Sequence, residues 1–334
     1  DDIAMMLGGR AAEEIVIHDK VTSIGGNAFR GCVNLSSVEI PDSVKTLGTY
    51  AFQGCESLVS VKLSSSLTTL SNYLFGNCVK LESLEIPASV TTFGTDVFNG
   101  CVALKSIDIP EGVTQIGKQA FMGSGLESIS FPGSLASIAD AAFKNCVDLV
   151  SVTLPSGSDY TSVSASLFEG CVNLSSVAFS ANVEEISANA FSGCTALEKV
   201  EVDKDNPYFT DIEGVLFDKN VTKLVFFPLG RGGSYTIPET VTEIATGVFR
   251  GNEVLTEIVI GANMEKIGNE AFRGCIELKT VRIEDGDKPL TIGDSAFQQC
   301  SSIVTITLPG RVKEIGDYAF YWMDSLRLVQ FGEG

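Results

Sequence analysis

One short apolar pattern recurs along nearly the whole chain. In "LSSVEIPDSVKTLGTYAFQGC" (residues 35–55), Leu35, Val38, Ile40, Val44, Leu47, Ala51, Phe52 and Cys55 stand among polar residues. Val38 and Ile40 alternate with Ser37 and Glu39, the period of a short strand with one buried face. Pro41 has no N–H to give a ladder and closes that strand. Gly, or Asn at Asn77 and Asn145, precedes most of the cysteines, where a short helical turn would end in a left-handed residue. Strands are therefore expected to end near Ile40, Leu63, Ile86, Ile109, Phe131, Leu154, Phe179, Val202, Ile260, Ile283, Leu308 and Phe331.

The spacing of the pattern sets the architecture. Its phenylalanine stands at 29, 52, 75, 98, 121, 143, 168, 191, 249, 272, 297 and 320. Most steps are 23 residues, one is 22, two are 25, and a single step of 58 separates Phe191 from Phe249. A 23-residue unit cannot bury its apolar side alone, but stacked copies cover one another. Equivalent strands of successive rungs then pair in parallel at about 4.8 Å. Each phenylalanine buried in the column contributes on the order of 1.5–3 kcal/mol relative to exposure.

The consensus LxxVxIPxxVxxIGxxAFxGC, carried over residues 15 to 331, resembles the BspA-like leucine-rich repeats, a 23-residue class found on many bacterial surface proteins. The resemblance implies a repeat solenoid: a right-handed leucine-rich-repeat superhelix with a parallel β-sheet on its concave face and short helical or 3-10 turns opposite. It also implies a cell-surface or secreted location, protein binding or adhesion, and no shared catalytic residues. The expected organisation is an N-terminal cap segment over 1–14, then a single solenoid over 15–334 with an irregular, hairpin-bearing unit at 203–237.

The opening residues support the cap. Ile3, Leu7, Ala11 and Ile15 have helix-like spacing, although Gly8 and Gly9 weaken a continuous helix. "IVIHDKVTSIG" aligns with "VEIPDSVKTLG", so Ile15 takes the place of Val38 and His18 that of Pro41. "MLGGRAAEEIV" also resembles a stretch of the FtsH-type zinc proteases over residues 3 to 16. That family's HExxH and nucleotide-binding loop are missing from this sequence, and His18 is its single histidine, so the resemblance carries no catalytic function.

Every cysteine lies three residues after a repeat phenylalanine: Cys32, Cys55, Cys78, Cys101, Cys146, Cys171, Cys194, Cys275 and Cys300. Zinc ligands would cluster as CxxC pairs, which do not occur. Disulfides prefer Cβ atoms ~3.5–4.5 Å apart, closer than the rung spacing of about 4.8 Å. The reading is a column of buried free thiols acting as small apolar residues.

Charge narrows the partners. The chain has 334 residues, 44% of them hydrophobic, with a net charge of −19 and a pI near 4.4. That field repels phosphate backbones and anionic membrane surfaces, so neither nucleic acid nor membrane insertion is expected. No run of 18 or more apolar residues occurs, and no signal segment or anchor is visible.

Within 203–237, "GVLFDKNVTKLVFFP" reads as two strands joined at Asp218-Lys219-Asn220, and "LGRGGS" as a loop. Asp203, Asp205 and Asp211 invite a calcium loop, but Tyr208 stands where glycine is required and Gly214 where glutamate is. No metal and no cofactor are expected. A second acidic loop, "EDGDKPL" from Glu284, reads as a solvated turn.

Outward strand positions form two columns. One begins Ser37, Ser60, Ser83 and later becomes Lys199, Glu257, Thr280, Thr305 and Leu328; the other runs from Glu39 and Lys62 to Glu201, Val259, Arg282, Thr307 and Gln330. The serines suit in-register stacking, or line a polar groove for an extended partner. Chemistry becomes varied after Ala178, which selects Lys199, Glu201, Glu257, Val259 and Arg282 as the candidate partner-binding residues, with ordinary solvated charge as the competing account. No catalytic constellation is found. The expected function is a non-enzymatic surface or secreted binding module for a protein or glycan on a host or neighbouring cell. The alternatives are a structural spacer within a larger surface protein and, last, a remnant of a zinc-protease fusion.

Overall fold

Each regular rung contributes two strands to two separate ladders. The computed structural model describes residues 11–333. The first ladder is the one the alternation predicts: Ser37–Glu39, Ser60–Lys62 and Ser83–Glu85 pair in parallel, Ser37 opposite Ser60 and Ser60 opposite Ser83. The second arises at the Leu47 column, where Thr69–Leu70, Thr92–Phe93, Gln115–Ile116 and Ser137–Ile138 form a parallel four-stranded sheet. Two-residue strands are too short to show alternation, so the sequence marks them only as apolar positions.

The phenylalanine side is also hydrogen-bonded between rungs. Asn27, Phe29 and Gly31 donate their N–H groups to Thr49, Ala51 and Gln53 of the next rung at 2.9, 2.8 and 2.7 Å. The intervening N–H groups of Ala28, Arg30 and Cys32 turn back to Gly25, Asn27 and Phe29. Left-handed residues recur at Gly54 (φ 71°) and Asn77 (φ 59°), as expected before the cysteines. A second left-handed position, Tyr50 (φ 62°) and Tyr73 (φ 57°), interrupts the turn again, so the expected helical or 3-10 turns are realised as consecutive reverse turns.

The chain divides into two compact units, Asp1–Leu174 with Asn182–Ser192 and Ser175–Ala181 with Gly193–Gly334. In the first, the rings from Phe29 to Phe191 stack with centroids 5.2–5.9 Å apart. Two expected strands fail here: the backbone near Ile109 and Phe131 is not in a ladder, although Ile107 and Ile129 stay buried. One precedes Phe121 and the other falls within the 22-residue step from Phe121 to Phe143. The missing residue falls at Ser124-Gly125-Leu126, where Gly125 N–H bonds the Cys101 carbonyl at 3.2 Å. A Cβ on Gly125 would sit 2.1 Å from the Val102 carbonyl oxygen, so only glycine fits this shortened path.

In the second unit the irregular segment restarts both ladders. Val215–Asp218 pairs antiparallel with Phe209–Ile212 and with Lys223–Phe226. The turn forms at Asp218, whose carboxylate accepts the N–H groups of Thr222 (2.7 Å) and Lys223 (2.6 Å). Lys223–Phe226 then pairs in parallel with Glu243–Ile244, and Gly233–Thr236 with Leu255–Ile260. Phe227 fills the gap in the ring column: the series Phe227, Phe249, Phe272, Phe297, Phe320 has centroid spacings of 4.6, 4.7, 5.0 and 5.6 Å.

All nine cysteines are free and buried. They do more than fill space. Cys55, Cys78 and Cys101 each direct a thiol to the carbonyl of the phenylalanine one rung back (Phe29, Phe52 and Phe75) at 3.2 Å. Cys275 and Cys300 do the same to Phe249 and Phe272 at 3.1 Å. Burial pushes the Cys101 thiol up to about 12 and Cys146 up to about 11.

At the N-terminal side, Val16 pairs in parallel with Glu39, the register in which Ile15 aligns with Val38. Residues 1–10, which hold most of the expected cap and of the FtsH-like stretch, lie outside the described residues. His18 is exposed, its Nδ1 2.7 Å from Asp19 Oδ1.

Phe98→Ala removes a fully buried ring between Phe75 and Phe121 and should cost about 3–5 kcal/mol in urea unfolding. Tyr160→Phe should cost nothing or raise the midpoint, because the Tyr160 hydroxyl is buried without a partner. Thiol titration should read near zero in the native protein and nine in denaturant. Thiols whose folded values lie above the ordinary 9.0 stabilise fully below pH 9 and lose that contribution as pH rises towards 11–12, so the urea midpoint should fall between pH 8 and pH 10.5. Replacing Cys101 and Cys146 together by alanine should flatten that fall.

Candidate partner-binding surface

All five candidate residues lie in the second unit. Lys199 and Glu201 sit on Lys199–Val202, where buried Val200 turns them outward. This strand pairs in parallel with Ser176–Phe179, Ser176 opposite Lys199 and Ala178 opposite Glu201. The Lys199 ammonium donates to Glu201, which raises its pKa, and both side chains remain more than half exposed. The opposite edge of the strand is covered by the irregular segment. Val200 N–H donates to the Gly214 carbonyl at 2.9 Å, and Val202 N–H to Asp211 Oδ1 at 2.9 Å. The neighbour of Lys199 is thus the Glu213-Gly214 turn, while the Asp218 hairpin belongs to the other ladder. Gly214 has φ 82°, and a Cβ there would lie 2.6 Å from Lys199 Cβ.

Glu257 and Val259 lie on Leu255–Ile260 and Arg282 on the adjacent Thr280–Ile283, with Glu257 opposite Thr280 and Val259 opposite Arg282. The structure therefore gathers these three on one three-stranded sheet and sets Lys199 and Glu201 on another. The outward columns carry three cations. Lys62 pairs with Glu39 and Lys199 with Glu201, whereas Arg282 makes no ion pair among the described residues.

Arg282 also borders a feature that the residue pattern hides. Thr280–Ile283 pairs with Leu255–Ile260, but Thr305–Leu308 pairs with Leu328–Phe331, and no ladder joins the two neighbouring strands. At the split lies an open depression of about 490 Å³, lined by Thr280, Arg282, Glu284, Asp285, Thr305 and Thr307 among others. The 25-residue step from Phe272 to Phe297, with its acidic loop, is the one sequence signal of it. That loop is anchored from below: buried Arg311 donates to the carbonyls of Glu284 (3.1 Å), Lys288 (3.3 Å) and Gly261 (3.2 Å). In the first unit a second depression, of about 560 Å³, lies beside Ser83, Glu85 and Asp108, where the first ladder also lapses.

The aspartates of 203–211 serve the backbone. Asp203 Oδ1 accepts the Asp205 N–H at 2.9 Å, and Asp211 holds Val202 as described. Buried Asn206 carries the next turn, accepting the N–H groups of Tyr208 and Phe209 at 2.8 Å and donating to the Ser180 carbonyl at 2.9 Å.

Stacked parallel rungs with in-register phenylalanine and cysteine columns define a leucine-rich-repeat solenoid. The pattern of the "BspA type Leucine rich repeat region (6 copies)" matches residues 8–127, 114–232 and 231–334, and the chain belongs to that family. Among solved structures, a leucine-rich repeat protein from Bacteroides ovatus is 31% identical, with a TM-score of 0.67 over 89% of this chain and 81% of that one. The pneumococcal vaccine antigen PcpA is 23% identical, with a TM-score of 0.58 over 96% of this chain and 71% of that one. A leucine rich cell surface protein from Faecalibacterium prausnitzii is 24% identical, with a TM-score of 0.58 over 97% and 87%. The two latter likenesses are likenesses of fold. No curated protein matches the chain.

The joint at Gly214 is open to test. Gly214→Ala should lower the unfolding free energy measured in urea by about 1 kcal/mol or more, because the left-handed backbone and the Lys199 contact both exclude a side chain. Lys199→Gln, which removes an exposed pair, should leave the midpoint within error.

Proposed function

We propose that the chain is a non-enzymatic binding module, displayed on or secreted from a bacterial cell, that engages a partner through the outward strand face of its second unit. The observation that carries this reading is the setting of Val259 opposite Arg282: an apolar side chain beside a guanidinium that makes no ion pair among the described residues and that lines an open depression. The other two cations on the columns are paired, Lys62 with Glu39 and Lys199 with Glu201. A guanidinium left free on the face of a strongly acidic protein offers a fork for carboxylate or hydroxyl-rich partners. Membership of the BspA-type family supports display and binding, and relatives described as a vaccine antigen and as a cell surface protein share the architecture. The spacer reading draws on the first unit, where Ser37, Ser60 and Ser83 stack in register and present one repeated chemistry.

The test begins with protein and glycan arrays probed with the purified chain. Against the partner found, reversal of Lys199 and Arg282 together to glutamate should weaken binding tenfold or more, and reversal of Lys62 should change it far less. Equal effects from both would place the interface elsewhere, and an empty array would favour the spacer.

A further inference from the structure

We infer that the depression at the split between Thr280–Ile283 and Thr305–Leu308 is a binding site for an acidic sugar, that is, a pyranose bearing one carboxylate. The inference rests on the binding-module reading and names the ligand class for one part of that face.

Three features carry it. The first is the break in the ladder. Thr280–Ile283 pairs with the strand before it and Thr305–Leu308 with the strand after it, but no ladder joins these two neighbours, and the surface sinks into a recess of about 490 Å³. That volume exceeds one sugar ring and falls within the usual range of small-molecule sites. The second is the donor set. Thr280, Thr305 and Thr307 alternate with buried Val281 and Ile306, so their hydroxyls face the recess side of the sheet with Arg282 between them. Arg282 has no ion pair among the described residues, so its fork is free for a carboxylate. The third is the acceptor set. Glu284 and Asp285 border the same recess, on a loop that Arg311 pins through the Glu284 carbonyl. A polyanionic peptide would meet these two carboxylates as like charges. A sugar acid meets them with hydroxyl donors while its single carboxylate lies at Arg282. The recess is lined by one unpaired guanidinium, the Lys279 ammonium 3.8 Å from Glu277, several threonine hydroxyls and two acceptor carboxylates, and this set fits a ligand with one negative charge and many hydroxyls better than a run of acidic side chains.

The site is open to solvent and holds no aromatic platform among the residues that line it, so its affinity for a single ring should be weak, with Kd of about 1 mM. Calorimetry or ligand-observed NMR on the whole chain should give saturable binding of sodium glucuronate or N-acetylneuraminate. Glucose and the methyl ester of glucuronate should bind at least tenfold more weakly. Arg282→Gln should weaken glucuronate binding tenfold or more with an unchanged urea midpoint, and Arg282→Lys should recover little of it, because an ammonium lacks the fork. Lys62→Gln should have no effect. Preference between glucuronate and N-acetylneuraminate separates the two sources of the carboxylate. Equal or tighter binding of triglutamate would overturn the inference in favour of an acidic peptide. Binding of the acids unaffected by Arg282→Gln, or no saturation by 100 mM, would overturn it outright. If the sugars fail while an arrayed partner remains sensitive to Lys199 and Arg282, the binding-module reading stands and this inference alone falls.

Discussion

A rung of some two dozen residues has no interior, and every other property of this protein depends on its in-register contact with the next rung. The contact is made at once in three places. Two parallel ladders pair the strands, and the turn side adds N–H bonds such as Phe29 to Ala51. Between them the phenylalanine rings stack, and the thiols of the following rung reach their carbonyls. A phenylalanine therefore anchors its own rung by burial and the next by its carbonyl. This explains why phenylalanine and cysteine travel together at a fixed separation: they are two halves of one inter-rung contact.

The departures from regularity matter because the regular rungs are so alike. Loss of one residue at Gly125 draws the chain against Val102, and the first ladder lapses on both sides. Two extra residues between Phe272 and Phe297 accompany the split between Thr280–Ile283 and Thr305–Leu308. Both depressions lie at such lapses. The second ladder and the ring column hold the rungs in place there, as Phe272 against Phe297 shows, so local release of the outer strands need not open the core.

Electrostatics acts on a different scale. The overall acidity governs which partners can approach at all. The local pairing of cations decides which of them remains available: the ammonium groups of Lys62 and Lys199 are engaged on the strand face, and the guanidinium of Arg282 is not. Arg311 shows the same chemistry in a structural role, its buried guanidinium gathering carbonyls from successive rungs and fixing the acidic loop beside the recess.

Repetition made the architecture legible in the sequence. A residue type that returns at one interval in nearly every rung can only be stacked on itself, so the Phe52 and Cys55 columns, the Val38/Ile40 strand and the turn at Asp218 could be read without coordinates. Phe227 was readable in principle, 22 residues before Phe249, but an extra neighbouring phenylalanine and the strands around it masked the register. What the sequence could not contain was the relation between rungs. Whether two adjacent strands exchange hydrogen bonds depends on small shifts accumulated over a whole turn, so the failed strands near Ile109 and Phe131 and the split beside Arg282 appear only in three dimensions. Likewise Lys199, Glu201, Glu257, Val259 and Arg282 share columns in the sequence. It was the irregular segment, threaded into the other ladder, that placed the first two beside the Gly214 turn and the last three on a separate sheet, because hydrogen-bond partners are chosen by space and not by repeat number.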